Sequence, residues 1–477
     1  MIRGLKMTHP DWVLKHKKKG TNISCINGRY YLYAVSSVWN KEKGRAQKIT
    51  NEYLGRITED GFISSKKRAG KTEAPVTVKE CGASSALIII GEDILNELVE
   101  IFPEQGGLIF TIAALRLIEQ CPFKRLENHY RNSFFSESFK GLKLSGGTLS
   151  AFLKDFGGNR EKIVEFMKRF ISGNEHMLFD GTGITSKSEK MDINRIGYNA
   201  HHDYNPQVNL LYAFACESKS PAYYRIIAGS VRDISAFKLS ITETGLENMV
   251  VVADKGFSSE LNFNMLDEAN IKYIIPLKRN SSLFNTSRLE TGNKADLDGF
   301  FMFNERPIWY YSIMDVVVFI DNDLKVHEEK KYLNNIEKGI EGYTMDNFIK
   351  KQHKFGTIVI KSNASIKSQK IYNLYKERWE IEQSFDFLKN LLEQDKSFMQ
   401  NEKSLESWAF INHISLMLNY KIYNLLRRKN LLSKFSVADF ISHLKYIFKV
   451  KINNTWHLSE YTKKTKDFLK LLDIHIT

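Results

Sequence analysis

Short apolar runs alternate with helical segments between residues 176 and 280, and this alternation limits the possible fold more than any other feature of the chain. The runs "HMLFD" and "NMVVVAD" have the pattern of buried strands. The second run is followed by a capped helical segment, "SSELNFNMLDEA", and by another strand-like run, "IKYIIPL". Strands that alternate with helices are typical of α/β domains. The sequence therefore predicts an α/β core.

The chain carries a strong positive charge, with 69 Lys and Arg residues against 55 Asp and Glu and a formal net charge of +14. Such a balance favours a polyanionic partner, nucleic acid before an anionic membrane surface. Four scattered cysteines lack paired spacing, so neither a zinc site nor a disulfide framework is predicted. Without a signal-like start or a run long enough to span a bilayer, the expected location is a reducing cytosol.

The segments around the core differ from it in pattern, and 477 residues are enough for several domains. The start alternates apolar and polar positions, as in two or three strands around basic turns. Its run 15–19 is either a solvated surface or a phosphate-contacting arm. The predicted regions are an N-terminal β-containing basic region (1–80), a helical DNA-binding region (81–172), the first part of the core (173–280), a β-rich insertion without clear helices (281–361), the final core helices (362–425) and a C-terminal helical region (426–477).

Two carboxylates stand at the ends of predicted strands. Asp180 and Asp254 each follow a buried run and precede a glycine-containing turn. If the two strands are neighbours, the carboxylates lie close together, and a divalent cation would relieve their repulsion. The alternative is that each Asp only starts a turn. Asp321 also follows a buried run, but it enters a charged turn rather than a capped helix, so Asp254 is the better candidate.

The segment "YKERWEIEQSFDFLKN", residues 375–390, has an unusual polar stripe. On a continuous helix, four polar side chains lie along the border of the apolar face, namely Tyr375, Arg378, Glu382 and Lys389. The ordinary exposed face is then made of Lys376, Glu377, Glu380 and Gln383. A surface ion pair four residues apart is one explanation of Arg378 and Glu382. The other is a carboxylate that completes a metal site, flanked by cations that hold a polyanion.

The spacing of these four residues resembles the Tyr-Arg-Glu-Lys signature of a large group of bacterial insertion-sequence transposases with a DDE catalytic domain. The resemblance extends to "FDGT" at Asp180, to "VVADKGF" at Asp254 and to the segment that leads into Glu382. It covers roughly residues 175–425. The run "YYLYAVSSVWNKEKGRAQKITNEYLGRI" is also similar to the amino-terminal segment of one branch of the group.

The resemblance implies a ribonuclease H-like catalytic domain, interrupted by the β-rich insertion, whose triad is Asp180, Asp254 and Glu382. In such enzymes the triad holds two Mg²⁺ ions, which Mn²⁺ can replace, for in-line phosphoryl displacement. Hard oxygen ligands and the absence of a cysteine or histidine cluster argue against zinc. His201 and His202 are interpreted as loop residues.

By the same resemblance, DNA phosphates are bound by three residues of the signature, Tyr375, Arg378 and Lys389. Arg offers a fork to a phosphate, Lys a point charge and Tyr a neutral donor. Trp379 either stacks on a displaced base or packs in the core, and Trp309 of the insertion is a weaker candidate for holding distorted DNA.

The predicted function is a DNA transposase that binds the terminal repeats of its own insertion sequence, cleaves the 3′ strand and joins the freed 3′-hydroxyl ends to target DNA. The expected partners are double-stranded DNA and a second copy of the chain, in a dimer that synapses both ends. The expected setting is the bacterial cytoplasm, at the nucleoid, without a membrane. Two alternatives stay open: another ribonuclease H-like nuclease that acts in repair or on junctions, and a non-catalytic DNA-binding protein derived from a transposase.

Overall fold

The structure is a computed structural model, and the chain forms two compact units, Met1–Pro75 and Val76–Thr477. Each unit is described by itself. The residues described are 9–41, 43–65, 76–171, 176–196, 205–228, 233–245, 250–388 and 396–476, without the side chains of 233–238.

The first unit is a four-stranded antiparallel sheet with one short helix, α1 (Asp11–Leu14). The strands follow one another in chain order: β1 (Thr21–Ile26), β2 (Arg29–Asn40), β3 (Arg45–Thr58) and β4 (Gly61–Ser64). Its small core consists of Val13, Ile23, Leu32 and Ile57. Four strands are present where the sequence suggested two or three. One side chain from α1 and one from each of three strands form this core, so its apolar contacts are few.

The second unit begins with a short strand and seven helices. Their bounds are β5 (Thr77–Glu80), α2 (Gly82–Ile90), α3 (Glu92–Ile101), α4 (Gly106–Glu119), α5 (Leu126–Asn132), α6 (Phe135–Ser138), α7 (Gly146–Phe156) and α8 (Arg160–Lys168). Helix α4 is apolar on nearly every face and is buried along most of its length. A helix with this composition needs neighbours all round, and the other helices supply them.

An eleven-stranded mixed sheet follows, so the predicted α/β class is confirmed. Its strands are β6 (Met177–Ser186), β7 (Arg195–Ile196), β8 (Pro206–Ala215), β9 (Ser220–Ala228), β10 (Val250–Val252), β11 (Lys272–Pro276), β12 (Gly299–Phe303), β13 (Arg306–Ile313), β14 (Val316–Asp321), β15 (Thr357–Ser362) and β16 (Lys396–Ser397). Strands β10 and β11 run parallel to β6, whereas β8 and β9 form an antiparallel extension on its other side. The β-rich block continues this sheet, since β14 pairs with β15 and β15 with β11.

Ten further helices complete the unit: α9 (Asp233–Thr244), α10 (Glu260–Glu268), α11 (Ser287–Glu290), α12 (Asn322–Glu337), α13 (Met345–Lys351), α14 (Ser368–Lys376), α15 (Trp379–Asp386), α16 (Glu402–Arg428), α17 (Val437–Lys445) and α18 (Lys463–Leu471). Strands β17 (Phe448–Ile452) and β18 (Thr455–Leu458) form a hairpin beside β5. Helix α16 passes through the main core and packs on α4 and α7.

Two local expectations were wrong. The charged turn expected after Asp321 is the start of α12, because the Asp321 carboxylate accepts from the backbone N–H groups of Asp323 and Leu324 and so caps the helix. Tyr332 is the buried residue of α12, so the helix lacks the apolar stripe that periodicity detects. In the C-terminal region, Asn453 and Asn454 both take positive φ and turn the chain into the β17–β18 hairpin, where the pattern suggested helices alone.

Within the described residues, no single helix has the length and hydropathy needed to cross a membrane. A bent pair, Gly106–Glu119 with Phe123–Asn132, meets those two criteria jointly across a 97° bend.

Candidate active site

Asp180 lies within β6, not at its end. The strand continues through the glycine-containing segment "GTGITS" to Ser186, because β8 pairs with it from Met177 to Thr185 and places Tyr212 opposite Asp180. The expectation that Asp180 precedes a turn was therefore wrong. Its half-buried carboxylate accepts a hydrogen bond from the Gly181 N–H at 2.9 Å.

Asp254 follows β10 and caps a short 3-10 helix, Lys255–Phe257. Strand β10 lies parallel to β6, with Val252 beside Leu178, so Asp254 comes at the level of Asp180 two residues further along both strands. The two strands are thus neighbours, as the hypothesis of paired carboxylates required. The Lys255 N–H donates to the Asp254 carboxylate at 2.6 Å.

The helix that carries the third carboxylate is broken where the sequence predicted continuity. Helix α14 ends at Lys376 and α15 begins at Trp379. The intervening backbone bonds span three residues instead of four, as in Glu380 N–H to Glu377 O at 2.9 Å and Ile381 N–H to Arg378 O at 3.1 Å. A 3-10 turn advances by about 120° per residue, against about 100° in an α-helix, so side chains beyond the break are rotated from their expected positions.

Beyond the break Glu380 is buried and Glu382 is exposed. Glu380, expected on the exposed face, is 5% exposed and its backbone oxygen accepts from the Tyr420 hydroxyl at 2.9 Å. Burial raises the pKa of Glu380. Glu382 is instead exposed and lies in the first turn of α15.

Arg378 joins two of the three candidate carboxylates. Its Nη1 donates to Asp254 Oδ1 at 2.5 Å and its Nη2 donates to Glu382 Oε1. The Arg378 side chain is 17% exposed, whereas the Asp254 and Glu382 side chains are 48% and 57% exposed. The ion-pair explanation of Arg378 and Glu382 is thus met, and the same arginine also reaches Asp254.

The hydrogen bonds of Arg378 shift the pKa values of Asp254 and of Arg378 itself. Burial opposes ionisation of Asp254, but the hydrogen bond and charge of Arg378 outweigh it and lower the pKa of Asp254. Burial would lower the pKa of Arg378, but the hydrogen bonds to Asp254 and Glu382 and the charges of Asp254 and Asp180 raise it. One cation therefore interacts with all three carboxylates of the predicted triad.

The donor set suits a hard divalent cation, because carboxylate oxygens are the ligands that Mg²⁺ and Mn²⁺ prefer. Among the described residues, no three His, Cys, Asp or Glu side chains are arranged as a ligand set for a metal ion. Two of the carboxylates are instead held by the Arg378 guanidinium. The residues present fit the cation by donor type and by charge.

Tyr375 lies beside these carboxylates and lines a cavity of about 230 Å³ between the core sheet and α12. The same cavity is lined by three cations that were not among the predicted site residues, Lys255, Arg279 and Lys376. Arg279 is engaged, because it forms a bidentate pair with Glu328 at 2.9 and 3.0 Å. The motif "ADKGF" was a usable signal for Lys255, which follows Asp254 directly and is exposed.

Trp379 is 47% exposed, so the interpretation as a core residue was wrong. It begins α15 and lines a surface cavity of about 350 Å³ with Lys376 and the β12–β13 turn. Trp309 lies elsewhere in the insertion, with the Lys294 ammonium 4.8 Å from its ring centre. Lys389, His201 and His202 lie outside the described residues.

A buried polar pair under β8 supports the strand that flanks Asp180. The Tyr212 hydroxyl is hydrogen-bonded to Nδ1 of His413 on α16, and both residues are at most 1% exposed. Burial and the nearby charge of Arg160 lower the pKa of His413 to about 3. Nothing in the sequence around His413 marked it for this position.

Replacement of His413 by Asn is expected to make the protein less sensitive to acid. Below pH 6.5 the unfolded chain takes up a proton on His413 that the folded chain does not, so the wild type loses stability as the pH falls. At pH 5 this loss is about 2 kcal/mol. The Asn side chain can accept from Tyr212 without this titration.

The measurement is the free energy of urea unfolding of both proteins at pH 8, 6 and 5. Glu80, whose pKa burial raises to about 7, titrates in the opposite direction, but it does so in both proteins and cancels in the difference. A difference between wild type and variant that stays constant over this range would contradict the prediction.

Comparison with known proteins assigns this core to one family. The family model described as "Transposase DDE domain" matches residues 171–418, more than half of the chain. No curated protein sequence matches the chain. Among solved structures, the chain is similar to the piggyBac transposase in a cryo-EM synaptic complex with hairpin DNA, with 10% sequence identity, a TM-score of 0.38 and coverage of 76% of this chain and 79% of that chain. On the extent of the family match, the chain belongs to the family of transposases with a DDE domain.

Proposed function

We propose that this protein is the transposase of a bacterial insertion sequence, of the group with the Tyr-Arg-Glu-Lys signature. It binds the terminal repeats of its element, cleaves the ends by metal-dependent hydrolysis and transfers the 3′-hydroxyl ends to target DNA. The observation that carries the proposal is the arrangement around Arg378, which interacts with Asp180, Asp254 and Glu382 within the region of the family match.

The proposed catalytic fold is ribonuclease H-like. Support comes from the strand order β9–β8–β6–β10–β11, in which three antiparallel strands are followed by two strands parallel to β6. A sheet of this kind is expected of such a core, with Asp180 in β6 and Asp254 two residues beyond the neighbouring strand β10. The strands of the insertion then enlarge the sheet beyond β15.

Asp180, Asp254 and Glu382 are the residues that would hold Mg²⁺ or Mn²⁺. When bound, the cation supplies a Lewis acid at the scissile phosphate and lowers the pKa of an attacking water. The chain itself favours the ionised form of Asp254, because the Arg378 guanidinium beside it lowers the pKa of that carboxyl.

The phosphates of the bound DNA are proposed to contact Arg378, Tyr375 and Lys389, with Trp379 stacking on a base near the cleaved end. Arg378 is suited to exchange a carboxylate for a phosphate, because both accept its two parallel N–H groups. Lys255 and Lys376, which line the cavity beside Tyr375 and were not part of the predicted site, add positive charge on the same side. Exposure of Trp379 supports stacking over a core role.

Duplex DNA, at the element ends and at the target, and a second copy of the chain are the proposed partners. The net charge of +14 supports the first partner. The second follows from the need to hold two ends together before joining them. The proposed setting is the bacterial nucleoid.

The purified full-length protein is expected to cut linear duplex DNA that ends in the element's terminal repeat, at the element boundary, in the presence of Mg²⁺. The products are resolved on a denaturing gel with each strand labelled in turn, and joining of the 3′ ends is followed with a supercoiled target plasmid. EDTA and a duplex with a scrambled terminal repeat should both prevent cleavage.

Other results would point to other functions. Cleavage of branched or damaged DNA without cutting of the terminal repeat would identify a repair or junction nuclease. Tight binding of the repeat without cleavage in Mg²⁺ or Mn²⁺ would identify a non-catalytic DNA-binding protein.

A further inference from the structure

Strands β2 and β3 continue far beyond the rest of their sheet. Strand β1 pairs with β2 only as far as Ala34, and β4 pairs with β3 only from Gly55 to Thr58. From Val35 to Asn40, β2 pairs with Thr50 to Arg45 of β3. Within the described chain, no further strand joins these six residue pairs. Residues 35–41 and 43–50 therefore form a two-stranded ribbon, called the arm below.

The arm leaves the sheet at an irregular joint. The register shifts between Leu32 and Tyr33 and again between Ala34 and Val35, so β3 contributes extra residues at the base of the arm. Such bulges bend a strand pair and increase its twist. At about 3.4 Å per residue, six pairs extend the arm by about 20 Å.

The arm is exposed on both faces although it carries large apolar side chains. Trp39 is 64% exposed, Val38 51% and Ile49 44%. Exposed apolar side chains on a projecting element are a cost in water unless the element has a partner. The small core of the unit does not use them, since it consists of side chains outside the arm.

The charge around the arm is mostly positive. From Asp11 to Glu52 the chain contains nine Lys or Arg residues and three acidic residues, Asp11, Glu42 and Glu52. Four of the nine are in the arm: Lys41, Lys43, Arg45 and Lys48.

The basic run of the sequence lies at the base of the arm. The Val35 N–H donates to the Gly20 carbonyl at 2.8 Å, so the exposed residues 17–19 precede the point where the arm begins. Positive charge thus continues from the base of the arm to its tip. This favours a polyanion over a second copy of a chain whose net charge is itself +14.

The two faces of the arm carry different side chains. In the antiparallel register one face presents Asn40, Arg45 and Gln47 together with the apolar Val38 and Ile49, and the opposite face presents Trp39 and Lys48. Asn40 donates to Gln47 across the strands at 3.1 Å, and Arg45 is paired with Asn40 in the register. Arg or Lys reads guanine and Asn or Gln reads adenine at base edges in the major groove, and Arg and Lys also contact phosphates.

We infer that the arm is a DNA-reading ribbon that enters the major groove of duplex DNA with its Asn40–Arg45–Gln47 face. The B-DNA major groove is about 12 Å wide and admits a two-stranded ribbon. Lys41, Lys43 and the residues 17–19 then contact the phosphates on either side. This inference rests on the proposed function only in taking the element's terminal repeat as the DNA that is read.

The test measures binding of the full-length protein to two fluorescent duplexes of equal length, one with the terminal repeat and one unrelated, in EDTA to prevent cleavage. Arg45→Ala is expected to weaken binding of the terminal repeat at least tenfold. It is also expected to reduce the magnitude of the slope of log K against log salt concentration by about one. Asn40→Ala with Gln47→Ala is expected to bring affinity for the terminal repeat towards that for the unrelated duplex.

The matched control is Arg29→Ala, which removes the same charge from the opposite end of β2, eleven residues from Asn40. It is expected to bind both duplexes within about twofold of the wild type. Thermal unfolding of the arm variants should equal that of the wild type, because the arm contributes nothing to the core.

Two results would overturn the inference: unchanged binding by Arg45→Ala, or a loss of self-association in sedimentation without a loss of DNA affinity, which would identify a second copy as the occupant. The proposed function fails separately. A wild type that binds the repeat through the arm but never cleaves it would refute the function alone. If the wild type cleaved at the element boundary and Arg45→Ala bound the repeat normally, the DNA-reading role of the arm alone would be refuted.

Discussion

Replacement of Glu382 by Gln is expected to reduce cleavage of terminal-repeat DNA by about a thousandfold or more, while DNA binding in EDTA stays within about threefold of the wild type. Gln keeps the length of the side chain and removes the charge that a divalent cation requires of its ligand. Glu382 is 57% exposed and interacts with Arg378, so its loss leaves no buried cavity and little change in stability is expected.

The matched control is Glu380→Gln, on the same turn of α15. Glu380 is buried, its Oε2 has no hydrogen-bond partner among the described residues, and burial raises its pKa. The neutral amide avoids the cost of a buried charge, so this variant should be at least as stable as the wild type and cleave DNA within about threefold of it.

The cleavage rate is measured in single turnover with a labelled terminal repeat, and the DNA affinity is measured by fluorescence anisotropy with the same duplex. If Glu380→Gln lost cleavage and Glu382→Gln retained it, the third carboxylate would have been assigned to the wrong side of the helix break. Equal losses in both variants would indicate damage to α15 in place of a missing ligand.

The association of Asp180 and Asp254 with buried strands could be predicted from the sequence, because it depends on the apolar pattern of those strands. Buried runs before Asp180 and Asp254 have the apolar composition of strands that are covered on both faces, and β6 and β10 are such strands. The end of β6 could not be predicted from the sequence. The segment "GTGITS" has the composition of a turn, but pairing with β8 as far as Thr185 keeps it extended.

The break between α14 and α15 has no local signal, since residues 375–382 contain neither Gly nor Pro. Contacts from a distant part of the chain accompany it. The Tyr420 hydroxyl on α16 donates to the Glu380 carbonyl, and the Ser384 hydroxyl bonds to the same oxygen at 3.0 Å. A prediction from a continuous helix therefore assigned Glu380 to the wrong face.

Replacement of Arg378 by Gln is expected to change two measurements in opposite directions. In the DNA-free protein the guanidinium occupies carboxylate oxygens of Asp254 and Glu382, so a divalent cation has to compete with it. Two charges 4 Å apart interact by about 4 kcal/mol at an effective dielectric constant of 20, and half-exposed carboxylates retain only part of this. A gain of about 1.4 kcal/mol, or tenfold tighter Mn²⁺ binding, is therefore expected for the variant.

Cleavage of the terminal repeat by the same variant should fall by about a hundredfold or more, because the proposed phosphate contact is lost. Mn²⁺ binding is followed by the electron paramagnetic resonance signal of the free ion, without DNA. Lys219→Gln is the matched control: Lys219 is 18% exposed, close to the 17% of Arg378, and pairs at 2.9 Å with Glu377, outside the triad. It should leave both quantities unchanged. If Mn²⁺ bound the Arg378 variant no more tightly than the wild type, the guanidinium and the cation would not share the same oxygens, and Arg378 would act on DNA alone.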